Sequence, residues 1–238
     1  MTPAPLRLCL MRHGGTAWAL TSQHTGTTDI PLTTSGEDEA RELGQRLRGS
    51  VFSYVLTSPR QRAHRTCELA GLGSAAAIDA DLAEWHYGDY EGQRSVDIIK
   101  ARPEWDLFRD GCPHGESPGQ VSDRADRLIA RLRRLGGNVA LFSHGQFGGV
   151  LAARWLGLPL AAAQHFPLGT ASLSILSYNP HHPAVPVIEM WNQTNHPLAM
   201  LPHHPRDGVP MPLKQRELER WDNEGGEIPD PKHNPARL

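Results

Sequence analysis

The chain has 238 residues, 39% hydrophobic and 21% charged, which suits one globular domain with room for a substantial core and excludes a disordered or fibrous protein. A formal charge of −2 excludes a domain-wide basic face for nucleic acid, so an anionic ligand must be met by locally gathered arginines. The three cysteines have no metal-ligand spacing, and neither a signal-peptide pattern nor a membrane-spanning apolar run appears, so we expect a soluble cytoplasmic protein without membrane or nucleic-acid partners.

The first element is an apolar strand, Leu6 to Met11, that stops abruptly at Arg12-His13-Gly14. Such an ending delivers a cation and an imidazole to the carboxyl edge of a sheet, where open α/β sheets bind ligands. Gly14 to Leu32 follows as a long polar loop, a length that points to function. Thr34 to Glu37 matches a capping box with Thr34 as N-cap, opening a helix whose inner face carries Ala40, Leu43 and Leu47. Val51 to Thr57 reads as a second strand and Ser58-Pro59 as the start of a helix with the narrow stripe Ala63, Cys67 and Ala70. Arg60, Arg62 and Arg65 then crowd the first turns against the helix dipole, a placement that an anionic ligand would compensate.

Asp79 to Gly92 is dense in acids and aromatics. Glu84 is its candidate for chemistry, though composition alone leaves it one acid among five. A short helix is expected over Pro103 to Arg109. Ser117-Pro118 opens the clearest helix, with Val121, Ala125, Leu128, Leu132 and Leu135 on one face and Gly136-Gly137 as its stop. A further apolar strand, Asn138 to Phe142, ends in Ser143-His144-Gly145 and leads into a helix over Phe147 to Leu156. Thr170 to Tyr178 and Val185 to Trp191 alternate as strands that pair or lie at a sheet edge. From Pro202 the composition turns to proline, histidine and charge, with a short helix about Leu213 to Trp221. We therefore expect a catalytic domain over residues 1–201 and a tail over 202–238 that binds its outside or a neighbouring subunit, which leaves a homo-oligomer open. Alternating strands and helices predict a three-layer α/β/α fold, its mostly parallel central sheet covered by helices on both faces.

Two strand ends that each carry histidine and glycine suggest one site, and its residue types suit phosphoryl transfer. His13 is the candidate nucleophile, provided that one ring nitrogen is held as N–H and the other keeps its lone pair. Arg12 and Arg62 offer guanidinium forks for phosphate oxygens, His144 a further donor, and Glu84 a proton for the leaving oxygen. The arginines would supply the charge stabilisation, so neither metal nor cofactor is expected. Spacing alone does not secure this chemistry.

LMRHGGTAW resembles the Arg-His-Gly signature of the histidine phosphatase superfamily, in the branch with cofactor-dependent phosphoglycerate mutases. HTGTTDIPLTTSGEDEA, SPRQRAHRT, LAEWHYGDYEG and FSHGQFGGVLAARWLGLP are similar to its later segments, in the family's order. The resemblance implies a phosphoglycerate mutase-like fold, His13 as phospho-acceptor, Arg12, Arg62 and His144 as the phosphate pocket and Glu84 as proton donor. It also implies that Thr25, Gly26 and Tyr87 approach substrate. Gly15 departs from the longer polar residue usual after Arg-His-Gly, which puts a substrate contact there in doubt. After the acid loop, Gly92-Gln93-Arg94-Ser95 replaces the Asn-Lys pair typical of the mutases, and RPEWDLFRDGCPHGES and WNQTNH look more like sugar-phosphate and sedoheptulose-bisphosphatase-like phosphatases. The expected substrate is thus a small phosphate ester, a sugar phosphate or bisphosphate, hydrolysed without metal. The alternatives are a 2,3-bisphosphoglycerate-dependent phosphoglycerate mutase and, in another class, a noncatalytic phospho-ligand-binding module.

Overall fold

A computed structural model describes residues 5–195. The expected boundary at 201, the tail over 202–238 and its short helix lie outside the described residues. Six strands form one sheet in the order β3-β2-β4-β1-β5-β6. They are β1 (Arg7–Arg12), β2 (Tyr54–Thr57), β3 (Ala76–Ile78), β4 (Asn138–Ser143), β5 (Leu173–Asn179) and β6 (His182–Gln193). The four strands from β3 to β1 pair in parallel, whereas β5 and β6 are antiparallel additions beyond β1. The mixed sheet is therefore parallel where it carries the site.

Central β1 and β4 are buried almost throughout, as apolar runs covered on both faces require. Their side chains alternate between two cores. Leu8, Leu10, Val139 and Leu141 pack under helices α6 (Pro118–Leu132) and α7 (Gly145–Trp155). Cys9, Met11, Ala140 and Phe142 face α2 (Thr34–Arg46) and α3 (Gln61–Leu69). Each fully buried aliphatic or aromatic side chain contributes about 1.5–3 kcal/mol of transfer free energy, which anchors the strand ends that carry the histidines.

The helix α6 starts as expected, with the Ser117–Gln120 capping box and Pro118 in its first turn. Two other starts differ. The N-cap of α2 is Thr33, not Thr34: its hydroxyl accepts from Gly36 N while its own N–H is held by Gly15 O. Adjacent threonines offered the same cap one residue apart, and the tertiary bond to Gly15 selects Thr33. Glu37 then reaches outward to Arg41 and Arg65 instead of back to the cap. Ser58 is not the N-cap of α3, which begins at Gln61 after Arg60. Its hydroxyl accepts from Arg60 N at 3.2 Å and meets His144 Nε2 at 2.7 Å.

Three short α-helices, α1 (Ala17–Leu20) inside the long polar loop, α4 (Ser95–Ala101) and α5 (Leu107–Asp110), join the described chain's four 3-10 turns. The helix expected over Pro103 to Arg109 is reduced to α5, because Asp106 caps Phe108 and Arg109 and delays its start. Among the described residues no helix is long and apolar enough to cross a membrane.

Candidate phosphate site

Arg12 and Ser143 lie opposite each other where β1 and β4 end in register, so His13 and His144 emerge side by side. His13 N bonds Ser143 O, and the two imidazoles stand edge to face with centroids 5.2 Å apart. The His13 Nδ1 lies 2.7 Å from Gly14 O, which accepts only from an N–H and so assigns the proton to Nδ1 and the lone pair to Nε2. Burial above all, then the charges of Arg12 and Arg62, hold His13 well below the usual histidine range despite its bond to Gly14 O. His144 is held low in the same way by burial and by Arg62, His13 and Arg12, with Arg60 adding to the field. Both rings are neutral near pH 7.

Gly14 is required by proximity. A Cβ on it would stand 2.2 Å from Gly36 O, so only glycine lets the turn after His13 rest on the start of α2. Gly14 N donates to Thr66 Oγ1, which donates in turn to Arg62 O, linking the first histidine turn to α3. Gly15 is absent from the cavity wall described below and its N–H bonds Glu39, so the departure at this position falls on the α2 junction.

Arg62 is fully buried in the first turn of α3. Its Nη atoms donate to the carbonyls of Thr28, Thr25 and Gly26 at 3.0, 2.8 and 3.1 Å. The same loop is gripped from the other side by Glu91, which accepts from the N–H groups of Gly26, Thr27 and Thr28 and from the Thr28 hydroxyl. Burial works to raise the Glu91 carboxyl, but the Thr28 hydroxyl and these N–H groups outweigh it and keep it below the ordinary range. One turn of backbone is thus clamped between a cation at its carbonyls and an anion at its amides. Gly26 is needed there, since a Cβ would stand 2.2 Å from Trp85 O.

Arg12 donates to Leu168 O, and its Nε, like the Nε of Arg62 and the Nδ1 of His144, is buried without a hydrogen-bond partner. Both guanidiniums donate to backbone carbonyls, of Leu168 for Arg12 and of Thr25, Gly26 and Thr28 for Arg62. Glu84 is the largest opposing charge on both, and its oxygens also accept backbone N–H groups. It accepts from Trp85 N and Phe147 N through Oε1 and from Gln146 N through Oε2, capping α7 just after His144. The acid loop is thereby tied to the second histidine turn. Contrary to its average surroundings in composition, Glu84 is buried at 8% exposure.

A cavity of ≈ 430 Å³ opens on this cluster, lined at its inner end by Arg12, His13, Thr25, Glu84 and Tyr87. Arg62 and His144 sit behind that wall, fully buried, and Gly26 also lies behind it. Of the residues expected near substrate, Thr25 and Tyr87 face the cavity. Sequence reasoning missed Ser58, Thr66 and Glu91 as positioning residues and His24 as a wall residue, although all four lie within or beside the quoted motifs. His24 stacks on Tyr87 with centroids 4.4 Å apart, and burial pushes its pKa down to about 4. The unfolded chain binds that proton near 6.5 and the folded chain only near 4, so the stability held by neutral His24 is lost as pH falls across this window. Thermal unfolding should show a midpoint that drops between these values, and His24→Gln should flatten the drop; an unchanged pH slope would contradict the assignment.

Among the described residues no group of three or more His, Cys, Asp or Glu side chains is placed to hold a metal ion. A lone-pair-bearing histidine among guanidiniums, at the carboxyl edge of an α/β sheet, is the arrangement of a phosphate-handling protein. The chain belongs to the histidine phosphatase superfamily (branch 1), whose profile matches residues 8–194. An acid phosphatase of Mycobacterium tuberculosis is 42% identical over 176 residues, 72% of this chain and 86% of that protein. A sedoheptulose 1,7-bisphosphatase of Saccharomyces cerevisiae is 35% identical over 184 residues, 64% of this chain and 68% of that protein. The solved structure of an open reading frame product of M. tuberculosis shares the fold with a TM-score of 0.75 at 38% identity, over 80% of this chain and 98% of that chain.

Proposed function

We propose that the protein is a phosphatase that hydrolyses small phosphorylated metabolites, sugar phosphates foremost, through a phosphohistidine on His13. The observation that carries this reading is the neutral imidazole with Nε2 free, set among the unpaired donors of Arg12, Arg62 and His144. A fully buried and a partly buried guanidinium held by backbone carbonyls are stabilised when an anion joins them, and phosphate oxygens match their geometry. The His13 Nε2 lone pair attacks phosphorus, the ester P–O bond breaks, and Glu84, in its protonated form, gives its proton to the leaving alkoxide. Glu84 next takes a proton from water as the water oxygen attacks phosphorus. The P–N bond breaks, and inorganic phosphate and His13 are released. Charge on the transferring group is met by the arginines, so the reaction proceeds without metal. The names of the acid phosphatase and bisphosphatase relatives support hydrolysis of a phosphorylated metabolite.

Glu84→Gln tests the assignment. In chelator, the burst of phosphorylation from an alkyl phosphate should slow about 10²- to 10⁴-fold, while an activated aryl phosphate, whose leaving group needs no proton, should lose far less. Equal losses on both esters would remove Glu84 as the acid. Conversion of 3- to 2-phosphoglycerate with little phosphate release would make the protein a mutase.

A further inference from the structure

The cavity has two chemically different parts. Its inner end gathers Arg12, His13 and Glu84, with Arg62 and His144 immediately behind. Elsewhere its wall carries the rings of Phe108 and Phe166 and the uncharged polar groups of Gln23, Ser95 and Gln164. His24 joins the polar set: its Nε2 lies 3.1 Å from Ser95 Oγ, and its ring lies on Tyr87. Phe166 is held in place edge to face against Trp191, whose indole N–H bonds Pro167 O, so the apolar wall is a built surface.

Arg12 is the only arginine or lysine on this wall among the described residues, and it stands at the phosphate end. Two arginines nearby are otherwise engaged. Arg94, in the adjoining groove, is bound by Asp97 at 2.6 Å, and Arg102 donates to Tyr90 OH. Arg60 adds its charge at the inner end, on Arg62 and His144. His24, neutral because it is buried, supplies no cation to the wall.

We infer that this cavity selects phosphate monoesters whose alcohol portion is uncharged, and discriminates against bisphosphates and phosphorylated carboxylic acids. The inference rests on the phosphatase reading and narrows its substrate class. A second phosphate or a carboxylate on the alcohol portion would exchange water for the rings of Phe108 and Phe166, with no arginine or lysine besides Arg12 on the wall among the described residues to receive it. An uncharged alcohol loses little there: its apolar face lies on the phenyl rings, and its hydroxyls meet Gln23, Gln164 and the Ser95–His24 pair. The cavity volume of ≈ 430 Å³ holds such a group.

Matched substrates test this with kcat/KM, in chelator, on the full chain. Fructose 6-phosphate should exceed fructose 1,6-bisphosphate, and glycerol 3-phosphate should exceed 3-phosphoglycerate, by about tenfold or more in each pair. Gln164→Arg should shrink both ratios towards one by lowering KM for the doubly charged partner. Equal or reversed ratios in the unaltered protein would overturn the inference, as would a Gln164→Arg protein that changes both members of each pair alike. An aryl phosphate run in parallel separates the two layers. Turnover of the aryl ester with reversed ratios would leave the phosphatase reading standing and sink only the selectivity. Silence on every ester would sink the phosphatase reading and the selectivity with it.

Discussion

His13→Ala is expected to lower phosphate release from every substrate by about 10⁴-fold or more, with little change in thermal stability. The size of the loss follows from the role of the side chain as the atom that bonds phosphorus; nothing else at the inner end of the cavity has a comparable free lone pair. His144 lies beside it with Nε2 at 2.7 Å from Ser58 Oγ and Nδ1 buried without a partner. Stability should hold because the ring contributes one bond, to Gly14 O, and the backbone bonds from His13 N to Ser143 O and from Ala171 N to His13 O survive the change. Steady-state rates together with a thermal melt check the prediction. Near-normal hydrolysis by the variant would remove His13 from the reaction.

Arg62→Lys should damage the protein in two ways at once, through its stability and through its rate. Lysine keeps the charge but not the fork, so the carbonyls of Thr25, Gly26 and Thr28 lose the donors that hold their loop. Each buried carbonyl left unpaired costs about 1–3 kcal/mol, which predicts a clear fall in melting temperature. On the catalytic side, loss of a preorganised donor to the transferring phosphoryl group should lower kcat/KM about 10²- to 10³-fold. The two losses are separable, because Glu91 still grips the amides of Gly26, Thr27 and Thr28 and should keep the loop near its place. A lysine variant with full activity would mean that charge alone serves at this position. Full stability with lost activity would mean that the loop does not depend on the guanidinium.

The parts of this protein that were legible in its sequence are those where one strong signal acts alone. The apolar runs ending at Arg12 and Ser143 gave the two central strands, and the alternating steps from Val121 to Leu132 gave α6. Parallel pairing of β1 with β4 then brings His13 to His144 with no further information. Elsewhere near-equal local choices were settled by contacts far along the chain. Thr33 and Thr34 are equivalent caps until Gly15 O takes the N–H of Thr33. Ser58 reads as a helix cap, yet its hydroxyl also meets His144, 86 residues away. The helix α4 buries only Ile98 among its residues, too weak an apolar stripe to register as periodicity. Glu91 resembles the other acids of its segment, and only the folded loop reveals it as an anchor for Gly26 to Thr28. Arg60, Arg62 and Arg65 looked alike as basic residues at a helix start, but Arg65 turns outward to Glu37 and Glu68 while Arg62 is buried.

The most direct test is to trap the covalent intermediate. Protein mixed with a ³²P-labelled sugar monophosphate, quenched in alkali within one turnover and digested, should yield one labelled peptide. The label should be stable to base and labile to acid, and fragmentation with ³¹P NMR should assign it to Nε2 of His13. Label on another side chain, or full turnover with no phosphorylated protein at any quench time, would contradict transfer through His13.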